Sequence, residues 1–139
     1  MNRQFLFDPA EIDVVLLSHA HIDHAGLLPK LWKEGFRGKV WCTHATYSLS
    51  TLLLLDSAHI QEKDIRFVNK INKRKKHAPV EPLYVREHAE GILKHFVGVG
   101  YEQPFSPVPG VSVEYRDAGH ILGSASMVLT ITERGKPKK

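Results

Sequence analysis

Asp13-Val14-Val15-Leu16-Leu17 is a short unbroken apolar run rich in β-branched residues. Such a run predicts a strand covered on both faces. Ser18 to His21 would be the loop leaving it. From about Ile22 to Glu34 the apolar residues Ile22, Ala25, Leu28, Leu31 and Trp32 recur at helical spacing. Gly35 stops that helix, and Pro29 inside it predicts a kink or a restart. Lys39 to Thr43 reads as a second strand. Ala45 to Lys75 carries an imperfect apolar stripe (Leu49, Leu52, Leu53, Ala58, Ile65, Val68, Ile71) and predicts one long helix or two. His77-Ala78-Pro79 ends it. Val85 to Phe96 predicts a further helix, Val97 to Tyr101 a strand, and Pro104 to Gly110 a loop. Val111 to Tyr115 alternates as a half-buried strand. Ala125 to Thr132 predicts another, after a loop from Asp117 to Ser124. Strands alternating with helices indicate an α/β layered fold.

Composition narrows the class. Hydrophobic residues make up 42% and charged residues 24% of 139 residues, enough aliphatic content to argue against disorder. The apolar runs Val14–Leu17 and Leu52–Leu55 fall far short of the roughly 20 residues that span a bilayer, so no membrane is expected. Met1-Asn2-Arg3-Gln4, running into Phe5-Leu6-Phe7 and Asp8-Pro9, lacks a signal-peptide profile. The single cysteine, Cys42, excludes a disulfide scaffold. A reducing, cytoplasmic setting is the expectation.

Charge adds one feature. The formal net charge is +4, and it is unevenly placed. Lys63, Arg66, Lys70, Lys73, Arg74, Lys75 and Lys76 crowd one stretch, and Arg134, Lys136, Lys138 and Lys139 form a basic tail. Such stretches suit a polyanionic partner. The plain alternative is a solvated helix end and a frayed tail.

The chemistry concentrates in Ser18-His19-Ala20-His21-Ile22-Asp23-His24. In an extended turn His19 and His21, two positions apart, can point the same way. Asp23 and His24, at the start of the following helix, turn to a neighbouring direction, so one short loop can serve two adjacent ions. Imidazole nitrogens and a carboxylate suit zinc, and iron or manganese less selectively. A polar loop with surface histidines is the alternative. The second signal is Asp117-Ala118-Gly119-His120-Ile121-Leu122-Gly123-Ser124-Ala125. Here a histidine stands at another strand exit between glycines that permit unusual backbone angles. It would complete a facial set with His19 and His21, or else be a hydrogen-bonded turn residue.

His-x-His-x-Asp-His after Asp-Val-Val-Leu-Leu-Ser resembles the signature of the metallo-β-lactamase superfamily. Phe7 to Asp13, Asp56 to Glu62, and Asp117 to Ala125 resemble more particularly its β-CASP branch of zinc-dependent RNA nucleases. His120 lies 96 positions after His24, a longer interval than lactamase- or glyoxalase-like members usually show. The resemblance runs from Phe7 to Thr132 and implies an αββα sandwich. It implies His19, His21 and His120 on a first zinc and Asp23 and His24 on a second, with Asp23 also the catalytic carboxylate. It implies hydrolysis of RNA phosphodiesters, with RNA as partner and two zinc ions in the complete enzyme. The family's bridging aspartate and later histidines would lie beyond Lys139, its early strands before Met1, and its RNA-covering domain is absent. Residues 1–139 are therefore expected to form an incomplete metallo-β-lactamase-type domain, truncated at both ends, that binds metal and is inactive alone.

Other readings stay open at this point. The substrate could be a thioester, lactone or lactam, although the long interval between motifs and the basic stretch argue for RNA. The chain could also be a non-catalytic zinc- or RNA-binding scaffold. Self-association into a homo-oligomer is compatible with each. Asp56 and Asp117 are candidates to orient a ligating imidazole. His59 is expected to hydrogen-bond near the site, and His44 to cap its helix or sit near the site. His77, His88 and His95 are expected at the surface. Cys42, Trp32 and Trp41 are expected in the core. Ser18 and Ser124 lack a paired base, so a serine nucleophile gains no support.

Overall fold

The computed structural model describes residues 4–133 and 136–138. After a 3-10 turn at Pro9–Glu11, strand β1 covers Val14–Leu16, helix α1 Ile22–Ala25 and helix α2 Leu28–Lys33. Strand β2 covers Lys39–Thr43, helix α3 His44–Arg74, helix α4 Arg86–Leu93 and strand β3 Phe96–Val99. Strands β4 (Phe105–Val108), β5 (Val111–Asp117), β6 (Ala125–Glu133) and β7 (Lys136–Lys138) follow.

The strands form two sheets. One is parallel in the order β1-β2-β3, the other antiparallel in the order β4-β5-β6-β7. The period-2 alternation of β2 explains how they stack. Val40 and Cys42 turn one way, into a core with Leu28, Leu31, Leu54, Ala58, Ile92 and Phe96. Trp41 turns the other way and stacks on Phe105 with ring centres 4.7 Å apart. Leu16 and Val99 meet Val113 and Tyr115 in a second core between the sheets. The Tyr115 hydroxyl donates to the Trp41 carbonyl at 2.8 Å, satisfying a phenol that burial otherwise leaves without water. The parallel sheet is thus covered on both faces, which is why β1 reads as an unbroken apolar run. Among the described residues the layers run helix, sheet, sheet: three of the four layers of an αββα sandwich. Ile92 is fully buried, and truncating it to alanine would cost about 2–5 kcal/mol.

Several boundaries differ from the sequence expectation. The helix expected over Ile22 to Glu34 is two helices, with Gly26 closing α1 and Pro29 in the first turn of α2, where its missing N–H costs nothing. Gly35, at φ +118°, ends α2 as expected. The stretch from Ala45 to Lys75 is one helix, capped by Thr43, whose hydroxyl accepts the Thr46 N–H at 3.2 Å. Helix α4 ends at Leu93, short of Phe96. There His95 accepts the Val40 N–H through its carbonyl at 3.0 Å and sets its Nδ1 2.8 Å from the Gly38 carbonyl, drawing the chain into the sheet. Pro104 to Gly110 is not a loop throughout, because Phe105–Val108 pairs with β5. An edge strand tolerates Pro107, and Pro109-Gly110, with Gly110 at φ +79°, makes the connecting turn. The basic tail, for which fraying is the alternative reading, is partly strand, since Lys136–Lys138 pairs with β6. Arg134 and Lys139 of that tail, and Met1 to Arg3, lie outside the described residues.

Candidate metal centre

The loop leaving β1 is built by backbone. The Leu17 N–H donates to the Trp41 carbonyl at 2.8 Å and carries the parallel ladder one step past the strand. His21 then stands at the N-cap of α1, extended at φ −55° and ψ 144°. Its carbonyl accepts the His24 and Ala25 N–H groups at 3.0 and 2.8 Å. A serine or aspartate there would turn its side chain back onto the helix. The His21 side chain makes no capping bond, and its ring points elsewhere.

The second loop is strapped from several sides. Ser124, 1% exposed, accepts the His120 and Ile121 N–H groups through Oγ, each at 3.2 Å. The Gly123 carbonyl accepts the hydroxyls of Thr43 at 2.6 Å and Thr46 at 2.8 Å. The Tyr101 hydroxyl donates to the Ser124 carbonyl at 2.9 Å. Burial, reinforced by Asp117, raises the Tyr101 pKa, so this donor stays protonated. Gly123 sits at φ +84°, and a Cβ there would lie 2.5 Å from the Thr46 nitrogen. The loop therefore requires glycine for both conformation and space.

These constraints bring His19, His21 and His120 together. Their ring centres form a triangle with all three sides 5.0 Å, and the planes stand 78–83° to one another. His120 Nε2 lies 3.2 Å from His21 Nδ1. One nitrogen from each ring falls within 4.8 Å of the other two. A tetrahedral zinc with bonds of about 2.0–2.1 Å needs its nitrogens roughly 3.3 Å apart. The imidazole set fits such an ion. Burial first, then the charges that His24, His21 and His120 would carry, lower the His19 pKa; Asp23 opposes them. Neutral imidazole, the form that coordinates metal, is favoured.

Asp23 and His24 lie beside this triangle, not in it. The His24 ring centre is 4.2 Å from that of His19, and its Nε2 is 3.6 Å from Asp23 Oδ2. Both side chains are exposed on the first turn of α1. The two carboxylates considered for orienting an imidazole do other things. Asp117 Oδ1 accepts the Gly119 N–H at 2.8 Å, and Asp56 lines a surface groove with Ile22, Leu53 and Ile60. The group that holds a ligating ring is Ser18, whose Oγ lies 2.9 Å from His19 Nδ1. That contact leaves His19 Nε2 as the nitrogen available to the cluster.

Ser18 immediately precedes the motif, and Ser124 and Gly123 stand within the quoted second motif. Their positions carried the signal, but their structural roles did not show in the sequence. Nothing in the sequence marked Tyr101. Of the remaining histidines, His44 is the exposed first residue of α3 beside Gly98, and His77 is exposed. His88 and His95 are half-buried and structural, not surface groups: the N–H of Val85 donates to His88 Nδ1 at 3.1 Å. His59 is exposed and has no side-chain hydrogen bond among the described residues, against expectation, because α3 turns it away from the cores. Cys42 is fully buried, as expected.

A cleft of about 320 Å³ opens beside the second loop, bordered by His44, Val99, Tyr101, Asp117 and Leu122. The family model described as the metallo-beta-lactamase superfamily matches residues 2–131. The chain belongs to that superfamily. It is 36% identical over 127 residues to a ribonuclease of Thermus thermophilus, covering 91% of this chain and 25% of the relative. It is 37% identical over 120 residues to the transcription termination factor FttA of Methanosarcina mazei, covering 86% of this chain and 17% of the relative. The FttA of Methanococcus maripaludis is 35% identical over 119 residues, with 86% and 16% covered. The chain thus spans a quarter or less of the length of these relatives. Its narrower resemblance to the β-CASP branch agrees with that group. Among the described residues no helix is long and apolar enough to cross a membrane.

Proposed function

We propose that this chain carries the histidine-rich part of a metal-dependent site that hydrolyses RNA phosphodiester bonds. The observation that supports it most is the convergence of three imidazoles from two strand exits, in a chain similar to a ribonuclease. His19, His21 and His120 would hold one zinc ion, and Asp23 and His24 would contribute to a second. Bound zinc would supply Lewis-acid polarisation of a phosphoryl oxygen and acidify water toward a pKa of about 7.

The chain's own residues prepare that chemistry. Ser18 fixes the His19 ring, so its outward nitrogen is set before an ion arrives. The Thr43, Thr46 and Tyr101 hydroxyls hold the His120 loop by its carbonyls. Asp23, exposed at the cluster's edge, would be the carboxylate that orients the attacking water. The cleft beside the loop, bordered by Ile121, Leu122 and Gly123 of the segment that follows His120, would offer room for substrate. A reducing, cytoplasmic compartment belongs to the same proposal; a buried, unpaired Cys42 suits it.

The test is a chelator-sensitive assay on the full gene product, with RNA and with a chromogenic thioester as rival substrates. Cleavage of RNA alone, lost with His120→Ala, is the expected result. Thioester hydrolysis without RNA cleavage would overturn the proposal.

A further inference from the structure

We propose that the C-terminal half of α3 is a binding surface for single-stranded RNA, separate from the histidine cluster. The nature of the polymer rests on the RNA-hydrolase reading above; the surface itself stands on the following geometry.

One side of α3 is fixed by the chain that returns along it. Asn69 Nδ2 donates to the Val80 carbonyl, and its Oδ1 accepts the Val80 N–H, both at 2.8 Å. Asn72 Nδ2 donates to the Ala78 carbonyl at 3.2 Å, and Glu62 Oε1 accepts the Arg86 N–H at 2.8 Å. At 3.6 residues per turn, Lys63, Lys70 and Arg74 project away from that clamped side. All three are exposed. Their span along the helix is about 16 Å. Among the described residues none of the three has an ion-pair partner.

Phe67 stands in this stripe with 66% of its surface exposed. Lys63 lies one turn before it, Lys70 nearly one turn after, and Arg74 two turns after. A ring among unpaired cations matches a strand whose phosphates meet the cations while a base stacks on the ring. A lipid surface would need a continuous apolar face. Asp64, one turn from Ile60 and next to Phe67 on the helix surface, interrupts such a face.

The experiment is fluorescence polarisation of a labelled 12-nucleotide oligouridylate with the 139-residue chain in EDTA, the variants checked for folding by circular dichroism. Phe67→Ala is expected to weaken binding about 5- to 150-fold, and Phe67→Trp to restore it. Lys70→Glu should weaken binding and lower the salt slope by about 1 or more. Lys94→Glu, on another surface, should bind like wild type. Wild-type binding by Phe67→Ala would overturn the proposal, as would equal losses from Lys94→Glu and Lys70→Glu. Phe67-dependent binding to phosphatidylserine vesicles without RNA binding would overturn it too. Loss of cleavage by the full gene product with α3 binding intact would sink only the hydrolase reading, and cleavage without Phe67 dependence in binding would sink only this surface.

Discussion

The backbone N–H of Ala125 donates to the carbonyl of Ser18 at 2.9 Å. That bond ties the exit of β1 to the entry of β6, and each joined loop carries part of the imidazole triangle. Because it is backbone to backbone, its integrity depends on the conformation of the loop preceding Ala125, and so on Gly123.

Gly123→Ala should therefore damage the site at a distance. The positive φ alone costs about 1–3 kcal/mol for a non-glycine residue, and the Cβ would press on the backbone nitrogen of Thr46. The expected result is a lower Tm together with a loss of zinc affinity larger than that of Gly119→Ala, whose Cβ would meet open space. Differential scanning calorimetry and zinc titration of both variants check this.

Ser18→Ala should leave the fold intact and weaken zinc binding about 10- to 100-fold, the usual loss when the partner of a ligating imidazole is removed. Unchanged Tm with reduced affinity distinguishes positioning from a general packing defect. Ser18→Thr, which keeps the hydroxyl, should recover most of the loss.

His88 supplies a pH dependence away from the site. Its Nδ1 accepts the Val85 N–H and must be unprotonated to do so. Burial, then the nearby Lys33 charge, lowers its pKa from the ordinary 6.5. The unfolded chain therefore binds the proton first as pH falls. The stabilisation is present above pH 6.5 and is lost as pH falls through the lower folded value. In urea titrations with EDTA, the stability advantage of wild type over His88→Ala should shrink below pH 6.5. An advantage that grows there would contradict the assignment.

Cys42 should be chemically silent while the chain is folded. Burial pushes its thiol up to about 12, so thiolate is scarce at neutral pH. A disulfide reagent should label it only at the rate of unfolding, and labelling should accelerate with urea.

Much of the site was legible because its chemistry is written locally. His19, His21, Asp23 and His24 share one loop, and the glycines around His120 announce a tight turn at another strand exit. The β1 strand was legible because both its faces are covered. What did not show was every relationship that needs the third dimension. Ser18 offers no support for a nucleophile by sequence, and its role as a partner for His19 depends on a ring orientation that spacing does not give. The Thr43 and Thr46 hydroxyls reach Gly123 across about 80 positions of sequence. Strand β4 is hidden by Pro107 within it, which an edge position tolerates, and by Pro104 and Pro109 on either side. His95 looked like a surface residue until the turn after α4 placed it against Gly38.

The most direct measurement is calorimetric zinc titration of wild type and His120→Ala. The account predicts one tight binding event in wild type, weakened more than about 100-fold by the substitution, with any weaker event at Asp23 and His24 unchanged. Equal zinc affinities for the two proteins would contradict it, since His120 would then be no part of the centre.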